Sequence, residues 1–288
     1  MIVGGAAVPL WVRVRFAHAV VQHLADARGL DVLHIKGEAI DPSLAAPNRH
    51  GTDADVLVRP SHVSRLLEAL QAHGWEMRSA FETGSPFGHA AGMHHDQWGY
   101  ADVHRIFPGV TVDPELAFDL LWRDRSKMLI GGITCPVPSL TGQLAILVLN
   151  ASRSGWGRSD LRTAWEAADP RRAANVRALV TLLGAEVAFA AATGDLDRYR
   201  DRCDYDLWRV TTRGGTRVEE WRARVKAAPD RRAALRIALR APLVNVDHLA
   251  HQLGRRPTRR EVARAFVDRA RHGVRELVGM AGQRRASR

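Results

Sequence analysis

Two carboxylates, Asp53 and Asp55, stand one residue apart and lead directly into the apolar run Val56–Val58. Residues i and i+2 of a β-strand project from the same face, so both carboxylates would point one way while Ala54 and Val56 point into a core. Such like charges repel each other, and a divalent cation relieves the repulsion. Mg²⁺ in particular is commonly held by one or two carboxylates together with substrate phosphates. The pattern therefore predicts a strand that binds a metal ion.

The segment before this strand has the features of a ligand-binding turn. Val32–Ile35 is a short apolar strand candidate, and it runs into Lys36-Gly37-Glu38. Glycine allows the backbone to approach a ligand closely. The predicted order is a strand, a glycine turn, a short helix and then the strand that carries the two carboxylates.

These motifs together resemble a known family. Ile35-Lys36-Gly37, then Arg49, then the stretch Thr52–Val58 are similar to a bacterial branch of uncharacterised nucleotidyltransferases within the DNA polymerase beta-like nucleotidyltransferase superfamily. The resemblance extends over residues 30–170. It implies an α+β fold, with a minimal nucleotidyltransferase-type mixed sheet and flanking helices, followed by a mostly helical C-terminal domain.

The resemblance also implies a third carboxylate on a later strand. Asp102, in the segment Tyr100–Arg105, matches the Asp-x-His pattern of this branch. By analogy, Asp53, Asp55 and Asp102 would be the catalytic residues and would hold Mg²⁺ or Mn²⁺. A nucleoside triphosphate would be attacked in line at its α-phosphate by a hydroxyl acceptor, and two metal ions about 4 Å apart would stabilise the entering and leaving oxygens.

Four further residues are expected to line the nucleotide site. Lys36 and Arg49 are the nearest cations for the phosphates, and Lys36 is the sole lysine in the first 120 residues. Gly37 would form the turn. His104 shares a strand face with Asp102 and could orient a hydroxyl, hold the outer shell of the metal or accept a proton, although a structural role is equally consistent with the sequence.

One departure from the superfamily pattern concerns the glycine turn. Gly37 is followed by Glu38, where Gly or Ser is more usual, and the first Asp comes only at position 53. The departure leaves open whether the turn contacts the triphosphate.

Composition restricts the class of protein. The 288 residues are 46% hydrophobic, which is enough for a sizeable core in one large or two smaller domains. No apolar stretch approaches the length of a membrane span, and the N-terminus lacks the pattern of a signal peptide. Cys135 and Cys203 have no metal-ligand spacing, and we expect reduced thiols in a cytoplasmic protein.

Charge is distributed unevenly along the chain. Residues 1–120 contain 9 Lys/Arg and 14 Asp/Glu, whereas the remainder contains 33 and 17, which gives net charges of −5 and +16. A basic C-terminal half suggests an anionic partner, with nucleic acid, RNA or DNA, the first candidate, because phosphate neutralisation dominates nucleic-acid affinity. Arginine-rich solvated helix faces are the alternative explanation. Arg255, Arg256, Arg259 and Arg260 flank the predicted capping box Thr258-x-x-Glu261 at the start of the last helix.

Periodicity predicts how the elements divide. We expect a helix at 10–28 and strands at 32–35, 53–58 and 75–82. A loop at 83–99 and a hairpin that turns at Gly131-Gly132 follow. The remainder is expected to be helical, with candidates at 171–193, 195–209, 216–227, 230–240 and 258–280. We place a domain boundary near 138, with a catalytic domain at 1–138 and a basic helical domain at 139–288. The histidines of the 83–99 loop match no zinc pattern.

Other functional classes remain open from the sequence alone. The fold could bind a nucleotide or nucleic acid without catalysis, or the same metal geometry could serve a phosphoryl transferase that uses the γ-phosphate. The protein could also be the RNA-modifying toxin of a toxin–antitoxin pair. RNA ends, small molecules and peptide or protein side chains all offer hydroxyls, so the acceptor, the preferred nucleotide and the oligomeric state stay undetermined.

Overall fold

Apolar residues alternating with polar ones build a five-stranded mixed sheet in the N-terminal half of the chain. The computed structural model describes residues 8–45, 50–84, 87–153, 161–253 and 255–286. The strands are β1 (Val32–His34), β2 (Asp53–Val58), β3 (Glu76–Ser79), β4 (Ala90–His95) and β5 (Gly99–His104). Their spatial order is β1-β2-β5-β4-β3. Within this sheet β2 and β5 run parallel and the other neighbours run antiparallel. The α+β prediction is confirmed.

One face of the sheet forms the main hydrophobic core. Ala54, Val56 and Val58 of β2 pack there with Ala101 and Val103 of β5. The helices α1 (Leu10–Asp26) and α2 (Val63–Ala72) cover this face through apolar residues that include Val21 and Leu66. Truncating a fully buried leucine such as Leu66 to alanine would cost about 2–5 kcal/mol. The opposite face of the sheet is thereby left for the charged residues of β2 and β5.

The expected loop at 83–99 is wrong in part. A short helix α3 (Phe81–Gly84) is followed by β4, and β4 inserts between β3 and β5. Glycine and histidine disfavour strands in isolation, but here β4 hydrogen-bonds to a neighbour on each side, and tertiary pairing overrides the local propensity. The third strand is also shorter than predicted, since it ends at Ser79.

A hairpin and a buried helix complete this half of the chain. Helix α4 (Pro114–Arg123) precedes β6 (Ser126–Ile130) and β7 (Ile133–Val137), which pair through a turn where Gly131 and Gly132 both have positive φ, as a type I′ turn requires. The predicted hairpin is confirmed. Helix α5 (Leu140–Ala151) follows and is buried along most of its length. A π-helical segment, Leu161–Glu166, then leads to α6 (Pro170–Leu182) and α7 (Glu186–Thr193).

A single helix over 171–193 was expected, and the structure contains two. Gly184, with φ +60°, lies between α6 and α7. Its carbonyl accepts a hydrogen bond from Thr111 Oγ1 at 2.7 Å, which holds the interruption in place. A left-handed glycine ends a helix because residues with a Cβ adopt this conformation at a cost.

The C-terminal residues form a second set of helices. Contacts divide the chain into two compact units, residues 1–189 and 190–288. The second unit contains a short 3₁₀ turn, Leu196–Tyr199, in the region predicted as helix 195–209, and then α8 (Tyr205–Arg213), α9 (Arg217–Lys226), α10 (Arg231–Arg240), α11 (Val246–Leu253) and α12 (Arg259–Ala286). Helix α11 was not predicted. The division lies beyond position 138, and the functional boundary near 138 stays a prediction.

The last helix begins as its sequence indicates. Thr258 Oγ1 accepts a hydrogen bond from the Glu261 backbone N–H, and the Glu261 carboxylate accepts one from Thr258 N–H. The predicted capping box is therefore present. Cys135 is buried, Cys203 is exposed, and neither forms a disulfide. No helix of the described chain is long and apolar enough to cross a membrane.

Candidate active site

The parallel pairing of β2 and β5 places the candidate carboxylates side by side. Asp55 lies opposite Asp102, and Asp53 lies opposite Tyr100. Directly paired residues share a face, and residues i and i+2 of one strand do as well. Asp53, Asp55 and Asp102 therefore project together from the face that α1 and α2 do not cover.

Asp55 is the most strongly held of the three carboxylates. Its Oδ1 lies 2.5 Å from Lys36 Nζ and 2.7 Å from His104 Nε2. Burial alone would raise the pKa of Asp55, but the Lys36 ammonium and the His104 hydrogen bond outweigh it and hold this pKa well below its usual range. Asp55 is therefore ionised at neutral pH even though its side chain is buried.

Lys36 reaches Asp55 through an unusual backbone conformation. Its φ of 57° and ψ of −175° fall in a region that is essentially restricted to glycine and costs about 1–3 kcal/mol for other residues. A continued extended strand would place Lys36 on the same face as His34, which pairs with Val56 of the core face. The positive φ turns the ammonium towards the carboxylates instead.

The glycine turn packs tightly against the segment that enters β2. A Cβ on Gly37 would lie 3.3 Å from Gly51 Cα, and a Cβ on Gly51 would lie 3.1 Å from Gly37 Cα. Glu38, the departure from the superfamily pattern, accepts a hydrogen bond from Gly51 N–H at 3.3 Å and ion-pairs with Arg15 at 3.5 Å. In this chain the Glu38 side chain stabilises the glycine turn through these contacts. Arg49, the other expected cation, lies outside the described residues.

The remaining two carboxylates lack sufficient compensating charge. Burial, followed by repulsion from Asp55, raises the pKa of Asp53 to about 6. Burial, followed by repulsion from Asp55 and Asp53, raises the pKa of Asp102 to about 7. Both carboxyl groups are therefore destabilised in their charged form, first by burial and then by the neighbouring carboxylates.

The donor atoms fit a hard divalent cation. One ligand atom each of Asp55, Asp102 and His104 lie within 4.8 Å of one another. Carboxylate oxygens are the ligands that Mg²⁺ and Mn²⁺ prefer, and a cation would relieve the repulsion that raises the pKa values of Asp53 and Asp102. The cluster differs from the expected metal-binding set in that His104 takes the place of Asp53.

His104 contacts a carboxylate with the nitrogen that faces the site. Its Nε2 donates to Asp55, since an ionised carboxylate only accepts. Burial, followed by the nearby Lys36 charge, lowers the pKa of His104 to about 4, so the ring is neutral. Its Nδ1 is buried and has no hydrogen-bond partner among the described residues. This geometry favours a role in orienting Asp55 over direct contact with a nucleotide.

Arg153 is a candidate functional residue that the sequence motifs do not reveal. It follows the buried helix α5, and burial lowers the pKa of its guanidinium, while Asp55, Asp102 and Asp53 act in the opposite direction. Its Nε is buried without a hydrogen-bond partner in the described part of the chain. A half-buried arginine that interacts electrostatically with three carboxylates and keeps its Nε free of a partner within the described residues is suited to an anion. Its position directly after a mostly apolar helix is the one sequence signal for it.

A family model described as "Uncharacterised nucleotidyltransferase" matches residues 17–194, a span that includes the sheet, the carboxylates and Arg153. The chain belongs to this nucleotidyltransferase family. The resemblance of the sequence motifs is thereby confirmed. Among curated proteins, no match is found.

Similar solved structures include other nucleotidyltransferases. The lincosamide antibiotic adenylyltransferase LnuA, bound to lincomycin, is 16% identical over 57% of this chain and 94% of its own, with a TM-score of 0.34. ANT(2'')-Ia in complex with adenylyl-2''-tobramycin is 14% identical over 64% and 98%, with a TM-score of 0.36. An antigenic nucleotidyltransferase-like protein from Paracoccidioides brasiliensis is 17% identical over 66% and 89%, with a TM-score of 0.38. Nothing about the acceptor of this nucleotidyltransferase follows from likeness at this level.

Proposed function

We propose that the protein is a metal-dependent nucleotidyltransferase that transfers a nucleoside monophosphate from a nucleoside triphosphate to a hydroxyl acceptor. The observation that carries the proposal is the juxtaposition of Asp55 and Asp102 on adjacent parallel strands, with Asp53 on the same face. Repulsion between these carboxylates contributes to the raised pKa values of Asp53 and Asp102, and a bound cation would relieve it.

Asp53, Asp55 and Asp102 would hold the metal, Mg²⁺ or Mn²⁺. When bound, the metal supplies positive charge for the phosphate oxygens and lowers the pKa of an oxygen nucleophile. Asp55 is already ionised and is oriented by His104, so it releases no proton when it binds a cation, although binding at its Oδ1 requires the Lys36 ammonium to move away.

Lys36 and Arg153 are the cations suited to the triphosphate. Lys36 Nζ forms an ion pair with Asp55 Oδ1, an oxygen that is suited to a metal. When a metal binds this oxygen, the three N–H donors of Lys36 become available to contact phosphate. Arg153 brings a guanidinium that is always charged and fits phosphate in a bidentate manner. Because both side chains are largely buried, their interaction with a phosphate is screened less than it would be at the surface.

Asp102 would help hold the metal nearer the acceptor and would thereby favour loss of the proton of the acceptor hydroxyl, because a bound divalent metal lowers the pKa of an oxygen nucleophile. As the acceptor oxygen forms its bond to the α-phosphorus, the bond from that phosphorus to the bridging oxygen of the β-phosphate breaks. The hydroxyl proton is released to solvent and pyrophosphate leaves.

The experiment that tests this proposal compares label from two positions. The protein is incubated with α-labelled and γ-labelled ATP, CTP, GTP and UTP, against cellular RNA and a small-molecule extract. We expect label on an acceptor from the α-position alone, with a loss of several orders of magnitude in Asp53→Asn, Asp55→Asn and Asp102→Asn. Glu68→Gln, which neutralises an exposed carboxylate on α2, is the matched control.

Two results would contradict the proposal. Transfer from the γ-position would identify a phosphoryl transferase. Nucleotide binding without transfer from either position would identify a binding protein.

A further inference from the structure

The sheet carries a second row of side chains beside the carboxylates. Asp53 on β2 lies opposite Tyr100 on β5, and Tyr100 lies opposite His94 on β4. These three residues therefore share the face that carries Asp55 and Asp102. Tyr100 and Asp102 are two residues apart on one strand, which is about 7 Å at the rise of a β-strand.

Tyr100 and His94 form an aromatic platform, the name used here for this pair. Their ring centroids lie 4.6 Å apart with an interplanar angle of 55°. Tyr100 is 44% exposed, which is unusual for a large aromatic side chain on a central strand. The side chain of His94 is only 19% exposed and packs against the Tyr100 ring. Burial and the neighbouring Arg78 and Arg13 lower the pKa of His94, while Asp96 and Glu76 oppose them, so its ring is neutral at pH 7.

A glycine lies next to Asp102 on the strand that carries His94. Gly92 on β4 lies opposite Asp102, and Ser79 on β3 lies opposite Gly92. A Cβ added to Gly92 would stand 2.8 Å from Ser79 Oγ and 3.5 Å from Asp102 Oδ1. The φ of Gly92 is not positive, so the backbone itself does not require glycine here. The absence of a side chain instead leaves room for the Ser79 hydroxyl, which accepts a hydrogen bond from Gly92 N–H at 3.2 Å.

The platform and Lys36 lie at different strands of the sheet. Lys36 follows β1 at one end of the strand order, whereas Tyr100 and His94 lie on β5 and β4. In an in-line displacement, the attacking oxygen and the leaving pyrophosphate lie on opposite sides of the phosphorus. If Lys36 binds the phosphates, the acceptor approaches from the platform.

We propose that Tyr100 and His94 bind the acceptor, and that the acceptor is a hydroxyl compound with an uncharged or cationic ring whose face stacks on Tyr100. This inference rests on the proposed nucleotidyl transfer. Asp53 and Asp102 border the Tyr100 side of the platform and disfavour an anionic ring there, while Arg78 and Arg13 act on the His94 side. Heterocyclic bases and sugars both present such a ring face, and an aromatic side chain stacks on either.

The chain offers a direct reporter of this contact. It contains three tyrosines, Tyr100, Tyr199 and Tyr205, and the other two belong to the C-terminal unit. Incorporating 3-fluorotyrosine gives three fluorine resonances, and Tyr100→Phe assigns the one of interest. The resonances of Tyr199 and Tyr205 serve as internal references.

The experiment adds probes to the labelled full-length protein with Mg²⁺ and a non-hydrolysable ATP analogue. The probes are adenosine, methyl glucoside and, as a hydroxyl compound without a ring, glycerol. We expect a saturable shift of the Tyr100 resonance with adenosine or methyl glucoside, and which of the two acts distinguishes a base from a sugar. Glycerol should leave the resonance unchanged.

Binding of the responsive probe, measured by calorimetry, completes the test. We expect Tyr100→Ala to weaken it about tenfold, as the loss of one stacking contact does, and Tyr100→Phe to keep it within about twofold. Binding of the ATP analogue should be unchanged in both variants, since Tyr100 is partly exposed and the fold does not depend on it.

Three outcomes would overturn the inference. These are an unmoved Tyr100 resonance with both ring probes, an equal response to glycerol, or a shift caused by the ATP analogue alone, which would make the platform a nucleotide-base site. Failure of the ATP analogue to bind with Mg²⁺ would instead contradict the proposed function, so the two failures are distinguishable.

Discussion

Lys36 Nζ and Asp55 Oδ1 lie 2.5 Å apart, and the lysine achieves this contact in a backbone conformation that only glycine adopts freely. The Lys36 ammonium thus contacts a carboxylate oxygen that is suited to the metal ion of the proposed function. Strain of this kind persists only where the surrounding structure enforces it. The tight packing of Gly37 against Gly51 and the bonds of Glu38 supply that enforcement.

The first prediction compares two substitutions of Lys36. Lys36→Gly and Lys36→Ala both remove the ammonium, but only glycine relieves the strained φ. We expect Lys36→Gly to be more stable than Lys36→Ala by about 1 kcal/mol, although glycine usually costs stability by making the unfolded chain more flexible. Urea denaturation of the two variants measures the difference. Equal stability, or a more stable Lys36→Ala, would show that Lys36 is not strained in solution.

The second prediction concerns stability and pH. A carboxyl group whose folded pKa is raised stabilises the fold below its unfolded pKa, near 3.8, and that contribution is lost as pH rises through the folded pKa, about 7 for Asp102. At about 1.4 kcal/mol for each pKa unit, the upper bound is a few kcal/mol. In chelator, Asp102→Asn should therefore raise the melting temperature at pH 8 and leave it unchanged at pH 4.

Metal provides the control for this measurement. Adding Mg²⁺ at pH 8 should raise the melting temperature of the wild type more than that of Asp102→Asn, because the cation relieves the repulsion that the variant no longer has. Glu68→Gln should behave as the wild type does throughout. A destabilised Asp102→Asn at pH 8 in chelator would contradict the repulsion on which the metal site is argued.

The common face of the carboxylates is predictable because it depends on local geometry alone. A period of two along β2 places Asp53 and Asp55 together in any strand, and the flanking apolar residues decide which face is buried. The same argument orients Asp102 and His104 on β5. The sequence motifs identify the family because each is a short local pattern, and the elements that carry them are adjacent in the sheet.

Features that depend on distant contacts could not be predicted. Strand β4 exists because β3 and β5 pair with it, although its own residues favour a loop. Arg153 lies in the turn after α5, about fifty positions beyond Asp102 in the sequence. The path of the Lys36 side chain depends on a φ that lysine rarely adopts, so no propensity indicates it.

The third prediction assigns Arg153 to the triphosphate. Arg153→Met keeps much of the buried volume and removes the charge, so we expect binding of Mg²⁺ with a non-hydrolysable ATP analogue to weaken about tenfold or more, as the loss of a charge-assisted contact does. Arg153→Lys should recover only part of this affinity because lysine cannot bind in a bidentate manner. Calorimetry measures both, and Arg123→Met, at an exposed arginine of α4, is the control. Unchanged affinity in Arg153→Met would make the residue a structural cation.

The last prediction concerns the basic C-terminal unit and RNA. Arg255 is ion-paired with Glu261, with Nη2 and Oε1 2.6 Å apart, and so forms part of the helix cap, whereas Arg256, Arg259 and Arg260 are exposed at the start of α12. If these three arginines contact phosphates, log affinity for single-stranded RNA falls with log salt by about 0.7 for each contact. We expect replacement of all three by Ala to flatten that slope by about two units, while Arg255→Ala acts mainly by lowering the stability of the helix.

Filter binding over a salt series measures the slope, and a triple variant with the same change in net charge, Arg65→Ala with Arg123→Ala and Arg171→Ala, is the matched control. A slope that changes equally in both triple variants would mean that total charge, and not this helix start, governs the binding. The absence of RNA retention at low salt would leave the arginines as a solvated surface.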